Sequence, residues 1–556
     1  MPCGCPSSSY TSIPYLGQTV SDSQTVRQSV SQRARHTDIH THTHTPMAQR
    51  LCRLPWAYLP SNKAAAVAVI ASVRVVDFYQ MASFQTCVTL HLQHLHPGLP
   101  PADVARNVGV AQGIFTAAQI LSAPAWGLAA DTIGRKAVIL IGLLGTAVAC
   151  LAVAFAASFR SVVLWRLFAG AVNGTVVAAR AAMSDTLAPQ HRPAGFSMLV
   201  LAFHVANAVG PLLAAASMNS RAGATSSLAF ADYIGENRLT ASLSKQPYAL
   251  PNLLSAGFLL MDALLVWFKL EETSKDAQQI RHTAAVQLQS WTARLRQYRR
   301  LPDCEDQTDS LMGSLTKSEP ILEMEQQQQP SGHNREPTEP LWTPRLFIIL
   351  ATVAILEFHL GAFGSMWALF VVADRRKPDA PVNLPFTFTG GLHLERSQLG
   401  FAMGLLGIIG TLLQFTAVPY YTAKKGAVRS FKASLPLFAV SLFAAPYLSF
   451  VAPAAPAHVH AAALWLGIFF VLFLHVVSRS FGILASILLV NQATNLPSRR
   501  GTVHGIGNTV ASTFRTAGAM AGGVLYGLGE QRNQVGLGWW FVCFVSVQGW
   551  IMGYWL

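Results

Sequence analysis

The sequence predicts an all-α membrane protein whose twelve transmembrane helices form two six-helix pseudo-repeat halves. Three observations lead there. Only 12% of the 556 residues are charged and 51% are apolar, whereas a soluble chain carries roughly 25% charged residues. Half the usual charge cannot cover a water-exposed surface of this length, which argues against a soluble enzyme and against a disordered chain. Stretches free of Asp, Glu, Lys and Arg recur, for example between Arg106 and Asp131, Lys136 and Arg160, and Arg192 and Arg221; a bilayer-spanning helix needs about 20 mostly apolar residues. One long polar segment separates six apolar spans from six more, several of them with one or two embedded charges.

Residues 1–63 are rich in Ser, Thr and Gln and lack a signal-peptide pattern, so they read as a disordered cytoplasmic tail. The run holding His36, His40, His42 and His44 reads as a low-complexity tract, with a metal site as the alternative, and Met47 is a candidate start. The first half, 64–270, carries spans 1 to 6 at 64–91, 107–130, 137–158, 161–184, 194–218 and 249–270. Residues 271–343 run from Arg294, Arg296, Arg299 and Arg300 through Asp303, Glu305, Asp306 and Asp309 to Gln326–Gln329. That composition makes a largely disordered cytoplasmic linker, with a short basic amphipathic helix near 281–300 that either lies on an anionic membrane or is a solvated charge run. The second half, 344–556, carries spans 7 to 12 at 344–373, 397–420, 432–453, 462–490, 500–527 and 536–556. The charge-free stretch from Lys432 to Arg479 is too long for one helix; Pro453, Pro456, His458 and His460 divide it into spans 9 and 10.

The 40 basic and 26 acidic residues leave a formal charge of +14. In a chain this apolar, the excess points to basic cytoplasmic loops facing the lipid bilayer and not to nucleic acid. Arg135 and Lys136 follow span 2, Lys424, Lys425, Arg429 and Lys432 follow span 8, and Arg499 and Arg500 precede span 11. All fall on the face shared by the N-terminus and the linker, which is therefore expected to be cytoplasmic. Arg375, Arg376, Lys377 and Arg396 between spans 7 and 8 are an exception. The seven cysteines show neither metal-ligand spacing nor a disulfide framework. There is no G-x-x-x-x-G-K-[ST] loop, H-E-x-x-H pair or nucleophile elbow, which argues against ATP-driven transport and against an enzyme.

After span 2 comes Gly127-Leu-Ala-Ala-Asp131-Thr-Ile-Gly134-Arg135-Lys136. This resembles the loop 2–3 signature of the major facilitator superfamily, G-x-x-x-D-x-x-G-R-K, with every fixed position present. Gly127 would let two helices approach closely, and Gly134 would permit the tight turn. Asp131 and Arg135 would make charged contacts across the cytoplasmic seam, with Asp185 as a partner, favouring an outward-open state and breaking when the halves rock. A plain positive-inside loop is the alternative. After span 8 a second copy keeps Gly426 but has Ala423 and Ala427 at the acid and arginine positions, as parallel-repeat halves allow. Span 4 carries Arg166 and Gly170 with Asn173, resembling the family's R-x-x-x-G motif. Span 5 carries Gly210-Pro211, resembling an antiporter motif, but Ala214 and Ala215 replace its final glycines; the pair implies a kinked, close-packed helix. A finer resemblance, to the drug:proton-antiporter-like branch and zinc-induced-facilitator-like proteins, rests on Pro247 to Asn252, His359 to Phe363 with Trp367 and Phe370, and Gly501 to Gly505 with Arg515, Gly522 and Gly523. The resemblance implies a monomeric carrier without a cofactor, which moves a small molecule by alternating access with proton coupling. It would sit in the plasma membrane or a vacuolar or other organelle membrane, with both termini cytoplasmic.

Ionisable side chains at mid-bilayer are costly and are candidate sites by default. Arg74 and Asp77 share one face of span 1, where Asp77 would bind a proton or polar substrate and Arg74 would tune it; a permanent ion pair is the alternative. In span 7, Glu357 and His359 cannot share a face. His359, Phe363, Trp367 and Phe370 do share one, which lines a cavity or packs as an aromatic stripe. Glu357 would face another helix of the second half. Arg515 stands out on the small, polar face of span 11. Arg479 in span 10 mirrors Arg166, and both could bind anionic groups or pair with Glu357 and Asp77. Asp262 in span 6 is expected to be structural or to reach toward the cytoplasm, and His204 and Asn207 are weaker candidates. No intramembrane cluster of His and acidic residues dictates a metal site. Two other readings remain: an uncoupled facilitator with a locked Arg74–Asp77 pair, and a membrane sensor that signals through the linker.

Overall fold

The computed structural model describes residues 61–188, 191–219, 248–273, 342–376, 382–451, 458–493 and 500–555. The His tract and the basic helix expected near 281–300 lie outside the described residues. Among the described residues, ten helices are long and apolar enough to cross a membrane. Arg500–Gln531 and Leu537–Gly553 complete the twelve tracks. Helices are the form that satisfies every backbone polar group within its own segment, which hydrocarbon demands.

Spans 1 to 3 are Ser61–Leu95, Pro101–Thr132 and Arg135–Ala154. Spans 5 to 8 are Arg192–Asn219, Ala249–Lys269, Pro344–Val372 and Arg396–Phe415. Span 9 runs through Ala427–Ala444, a 3₁₀ turn at Ala445–Tyr447 and Leu448–Val451. Spans 10, 11 and 12 are His458–Gln492, Arg500–Gln531 and Leu537–Gly553. Pro occupies the first turn of spans 2 and 7, where its missing N–H is no loss. The side chains of Ser158 and Thr343 accept the free N–H of Ser161 and Leu346 at the starts of spans 4 and 7.

Span 4 corrects the sequence expectation of one helix. It is two helices, Phe159–Val172 and Thr175–Thr186, interrupted at Asn173-Gly174. A Cβ on Gly174 would stand 2.9 Å from the Trp126 ring, so the turn needs glycine there. Trp126 Nε1 donates to the Ala171 carbonyl, 2.7 Å away, which helps satisfy the interrupted backbone.

The halves meet along two seams, span 2 with span 11 and span 5 with span 8. Small residues make both possible. Cβ atoms added to Gly523 and Gly527 would meet the Ala105 and Ala102 carbonyl oxygens at 2.6 and 2.7 Å, and one on Gly404 would meet the Ala208 carbonyl oxygen at 3.1 Å. Along span 2, contact is tightest on the face opposite the Gly127–Lys136 loop. Every buried residue of span 2 except Ala118 and Ala130 lies at or before Thr116. Beyond Thr116, which receives a 2.6 Å hydrogen bond from Thr516 of span 11, the seam parts toward the loop face.

Of the basic residues that broke the charge pattern, Arg376 and Arg396 sit in an ordered cap on the far face, and Lys377 lies outside the described residues. Leu392 N–H donates to the Phe370 carbonyl at 3.0 Å, and Val535 N–H to that of Phe388, also at 3.0 Å. Arg376 covers the Phe450 ring at 5.1 Å. Arg396 donates to the Met218 carbonyl at 3.4 Å and so ties the halves together. These are packing roles, and they explain why base is tolerated there.

Gly523→Val should prevent the far-face seam from closing. Transport is expected to fall at least tenfold while expression and melting temperature stay near wild type, and a cysteine introduced at Ala105 should become more accessible to a water-soluble thiol reagent. Gly257→Ala, where an added Cβ meets nothing within 4 Å, serves as the neutral control.

Candidate functional site

The interruption of span 4 delivers polar groups to the carboxylate of span 1. Asp77 is 2% exposed and Arg74 5%. Arg74 and Asp77 form an ion pair one helical turn apart. Asn173 Nδ2 donates to Asp77 Oδ1 at 2.6 Å. The Thr175 hydroxyl lies 3.0 Å from Asp77 Oδ2 and 2.6 Å from Asn173 Oδ1. Both oxygens are acceptors, and the hydroxyl has one proton to give. Arg74 also covers the Phe78 ring at 4.2 Å.

The second half holds the matching pair. Arg515 Nε donates to Glu357 Oε2 at 2.8 Å, and its Nη2 lies 2.6 Å from the same oxygen. The Glu357 side chain is 8% exposed and that of Arg515 39%, so this pair opens to the interior of the molecule while Asp77 is enclosed. Arg166 pairs with neither acid: its Nη1 donates to Gln80 Oε1 at 3.1 Å, and Phe84 and Phe115 flank it at 4.2 and 4.4 Å. Arg479 of span 10 lies over Phe203 of span 5 at 4.4 Å. A cleft where the seam parts is lined by Gln119, Asn173, Asn508 and Ser512. Asn173 thus both lines the cleft and holds Asp77.

The span 7 stripe is packed, not cavity-lining. His359, Phe363, Trp367 and Phe370 are buried. Phe363 stacks on His475 at 3.6 Å, His359 on Phe438 at 5.5 Å, and Trp367 and Phe370 meet Trp539. They form the aromatic core of the second half because an i, i+4 face of large rings fills the space between spans 9, 10 and 12. Asp262 is also buried, and Ser72 Oγ is 2.8 Å from it; it does not reach toward the loop face. His204 is buried beside Gly410, and Asn207 donates to the Phe203 carbonyl of its own helix.

The loop motif forms its contacts within the first half. Arg135 pairs with Asp131, and its Nε donates to Asp185 Oδ2 at 3.3 Å. Sequence reasoning missed Glu272. Its carboxylate accepts the N–H groups of Arg135 at 2.8 Å and Lys136 at 3.3 Å, capping the positive end of span 3. An acid just beyond span 6, on the face of the motif loop, was the available signal. Lys136 Nζ donates to the Trp267 carbonyl at 2.7 Å. Gly134 has φ 104°, which favours glycine. Gly127 is not tightly packed here: an added Cβ would meet only Val177, at 3.8 Å. Gly210 is tightly packed, with Ala82 and the Tyr79 carbonyl 3.0 and 3.1 Å from an added Cβ, and Pro211 sits inside the continuous helix of span 5.

Comparison with known proteins agrees with this architecture. Residues 75–523 match the family model described as Major Facilitator Superfamily. The chain is 25% identical over 483 residues to the major facilitator superfamily multidrug transporter mfsB of Aspergillus fumigatus, covering 82% of this chain and 77% of that protein. Among solved structures, the D-xylose-proton symporter superposes with a TM-score of 0.58 at 11% identity, over 88% of this chain and 97% of that one. The human organic anion transporter MFSD10 does so with a TM-score of 0.52 at 17% identity, over 89% and 100%.

Removing one member of a buried pair strands the other, at a cost of about 3–5 kcal/mol, whereas replacing both with apolar groups costs far less. Arg74→Met alone should lower the melting temperature of the detergent-solubilised protein more than Arg74→Met with Asp77→Leu. An equal or larger loss in the double variant would show that the pair is not the unit of stability.

Proposed function

The chain belongs to the Major Facilitator Superfamily and is a membrane transporter, not an enzyme; from that premise we propose proton-coupled antiport of a small molecule, exporting it from the cytosol. The observation that carries this reading is the double role of Asn173, which faces the cleft and donates to the enclosed carboxylate of Asp77. A substrate entering the cleft would disturb the bond from Asn173 to the Asp77 carboxylate. Protonation of Asp77 would in turn remove its attraction for Arg74. The Thr175 proton then has a second acceptor ready in Asn173 Oδ1, so the network has a sensible arrangement in both protonation states.

The span 2–span 11 seam is shut on the far face and parts toward the loop face. With the loop face cytoplasmic, as its Lys and Arg content indicates, this is the inward-facing state of an alternating-access carrier. The similarity to a protein named a multidrug transporter supports the export direction. Arg135, Asp131 and Asp185 would then be a latch held ready in the first half, meeting the second half when the loop face closes. The transporter is read as a monomer with cytoplasmic termini, in the plasma membrane or an organelle membrane. An uncoupled facilitator is the competing reading, supported by the full set of bonds on Asp77.

Purified protein reconstituted in vesicles separates the two. A panel of radiolabelled organic solutes is expected to include one whose accumulation follows an imposed pH gradient and collapses with a protonophore. Asp77→Asn should cut that accumulation at least tenfold while preserving solute exchange at equal pH. Unchanged pH-driven accumulation in Asp77→Asn would remove Asp77 from coupling.

A further inference from the structure

Five arginines within the spans turn toward the interior: Arg74, Arg166, Arg479 and Arg515, and, near the end of span 4, Arg180. Two carboxylates face them, and each is already taken, Asp77 by Arg74 and Glu357 by Arg515. The remaining intramembrane acid of the first half, Asp262, is partnered by Ser72 between spans 1 and 6. Among the described residues the centre of the molecule therefore carries an excess of three positive charges. Like charges brought together in a low-dielectric interior are strongly unfavourable unless something negative joins them.

Arg180 of span 4 is exposed, yet it is held between the halves: its Nη1 donates to Asn508 Oδ1 of span 11, which lines the cleft, at 2.7 Å. Arg180, Arg479 and Arg74 all lie within electrostatic reach of Arg515, and Arg180 and Arg479 also within reach of Glu357, whose carboxylate Arg515 holds. Among the described residues Arg479 forms no ion pair, and its Nε is buried without a hydrogen-bond partner. It lies over the face of Phe203. Phe203 meets Phe78 edge to face at 4.9 Å, and Arg74 covers Phe78. Both rings are partly exposed. Guanidinium forks beside open aromatic faces suit a ligand with a carboxylate or sulfonate at one end and a flat apolar body.

We propose that the interior between the halves, beside the cleft, is an anion site that takes a small organic anion with an aromatic body, held by Arg180, Arg479 and Arg515. The proposal rests on reading the cleft as the transporter's substrate site. Arg180 and Arg479 would supply the unpaired donors, and Arg515 would be shared between the ligand and Glu357.

The test is binding to the full-length protein in phosphatidylcholine nanodiscs, read by titration calorimetry without any gradient. The probes are 1-naphthoate and naphthalene-1-sulfonate against the size-matched cation 1-naphthylmethylammonium. The anions are expected to bind saturably and at least tenfold more tightly than the amine. Arg180→Gln and Arg479→Gln should each weaken anion binding about tenfold or more, and Arg180→Lys and Arg479→Lys, which keep the charge, should retain most of it. Equal or tighter binding of the amine, no saturable anion binding, or unchanged anion affinity in both Gln variants would overturn the proposal. Displacement of the probes by phosphatidylglycerol added to the nanodisc would assign the site to a lipid headgroup and also overturn it. Loss of pH-driven flux with anion binding intact would instead count against the transport reading alone.

Discussion

A guanidinium placed in hydrocarbon needs a negative or polar partner, and that need organises this molecule. Arg74 and Arg515 each hold a carboxylate, one in each half. The two solutions differ. Asp77 is enclosed and additionally held by Asn173 and Thr175, whereas Arg515 is open enough to meet water or a ligand. Arg166 and Arg479 lie against aromatic faces, Arg166 with a hydrogen bond to Gln80 besides, and each keeps a buried Nε without a hydrogen-bond partner. Ring faces offer partial negative charge without a proton to lose. They can hold a cation in place while leaving it available to a stronger anion, which a salt bridge cannot do.

The seams obey a different rule. Water provides little driving force between helices in lipid, so close packing must supply it. Gly109, Gly523 and Gly527 allow spans 2 and 11 to touch backbone to backbone. Such contact is all or nothing: a backbone carbonyl either rests against a bare Cα or it does not. Packing of this kind gives two discrete arrangements, which rocking halves require. On the loop face the same spans have separated, and Arg180 of span 4 makes a polar contact to Asn508 of span 11 there.

The helix count and the six-plus-six division were legible because lipid imposes a composition that no other environment demands. The loop motif was legible because its glycine, acid and bases sit at fixed spacing. Helical periodicity turned Glu357 toward another helix of the second half, but the partner offered for it was Arg479 or Arg166, and the fold supplies Arg515. Other features were hidden. The interruption of span 4 was not visible, because Asn173-Gly174 inside an apolar run is also tolerated in a continuous helix; Trp126, distant in sequence, decides the matter. The stripe of Phe363 and Trp367 was open to two readings, since periodicity shows that residues share a face and not what that face meets. Arg180 escaped notice because it sits near the end of its span, where an arginine is cheap. Only the fold shows that it turns inward to Asn508.

The interrupted helix brings these threads together. Coupling requires a free-energy link between two sites, in which each ligand changes the other's affinity by the same factor. In the proposed antiport, Asn173 would be the short physical route for such a link, since one side of it faces the cleft and its amide holds Asp77. The break in span 4 would then make the Arg74–Asp77 pair one that a solute in the cleft can disturb. It would do so through a residue that carries no charge and costs little to bury. The arginines beyond it, with three positive charges unmatched, supply the complementary half of the link: a negative solute would lower their repulsion at the moment it perturbs Asn173.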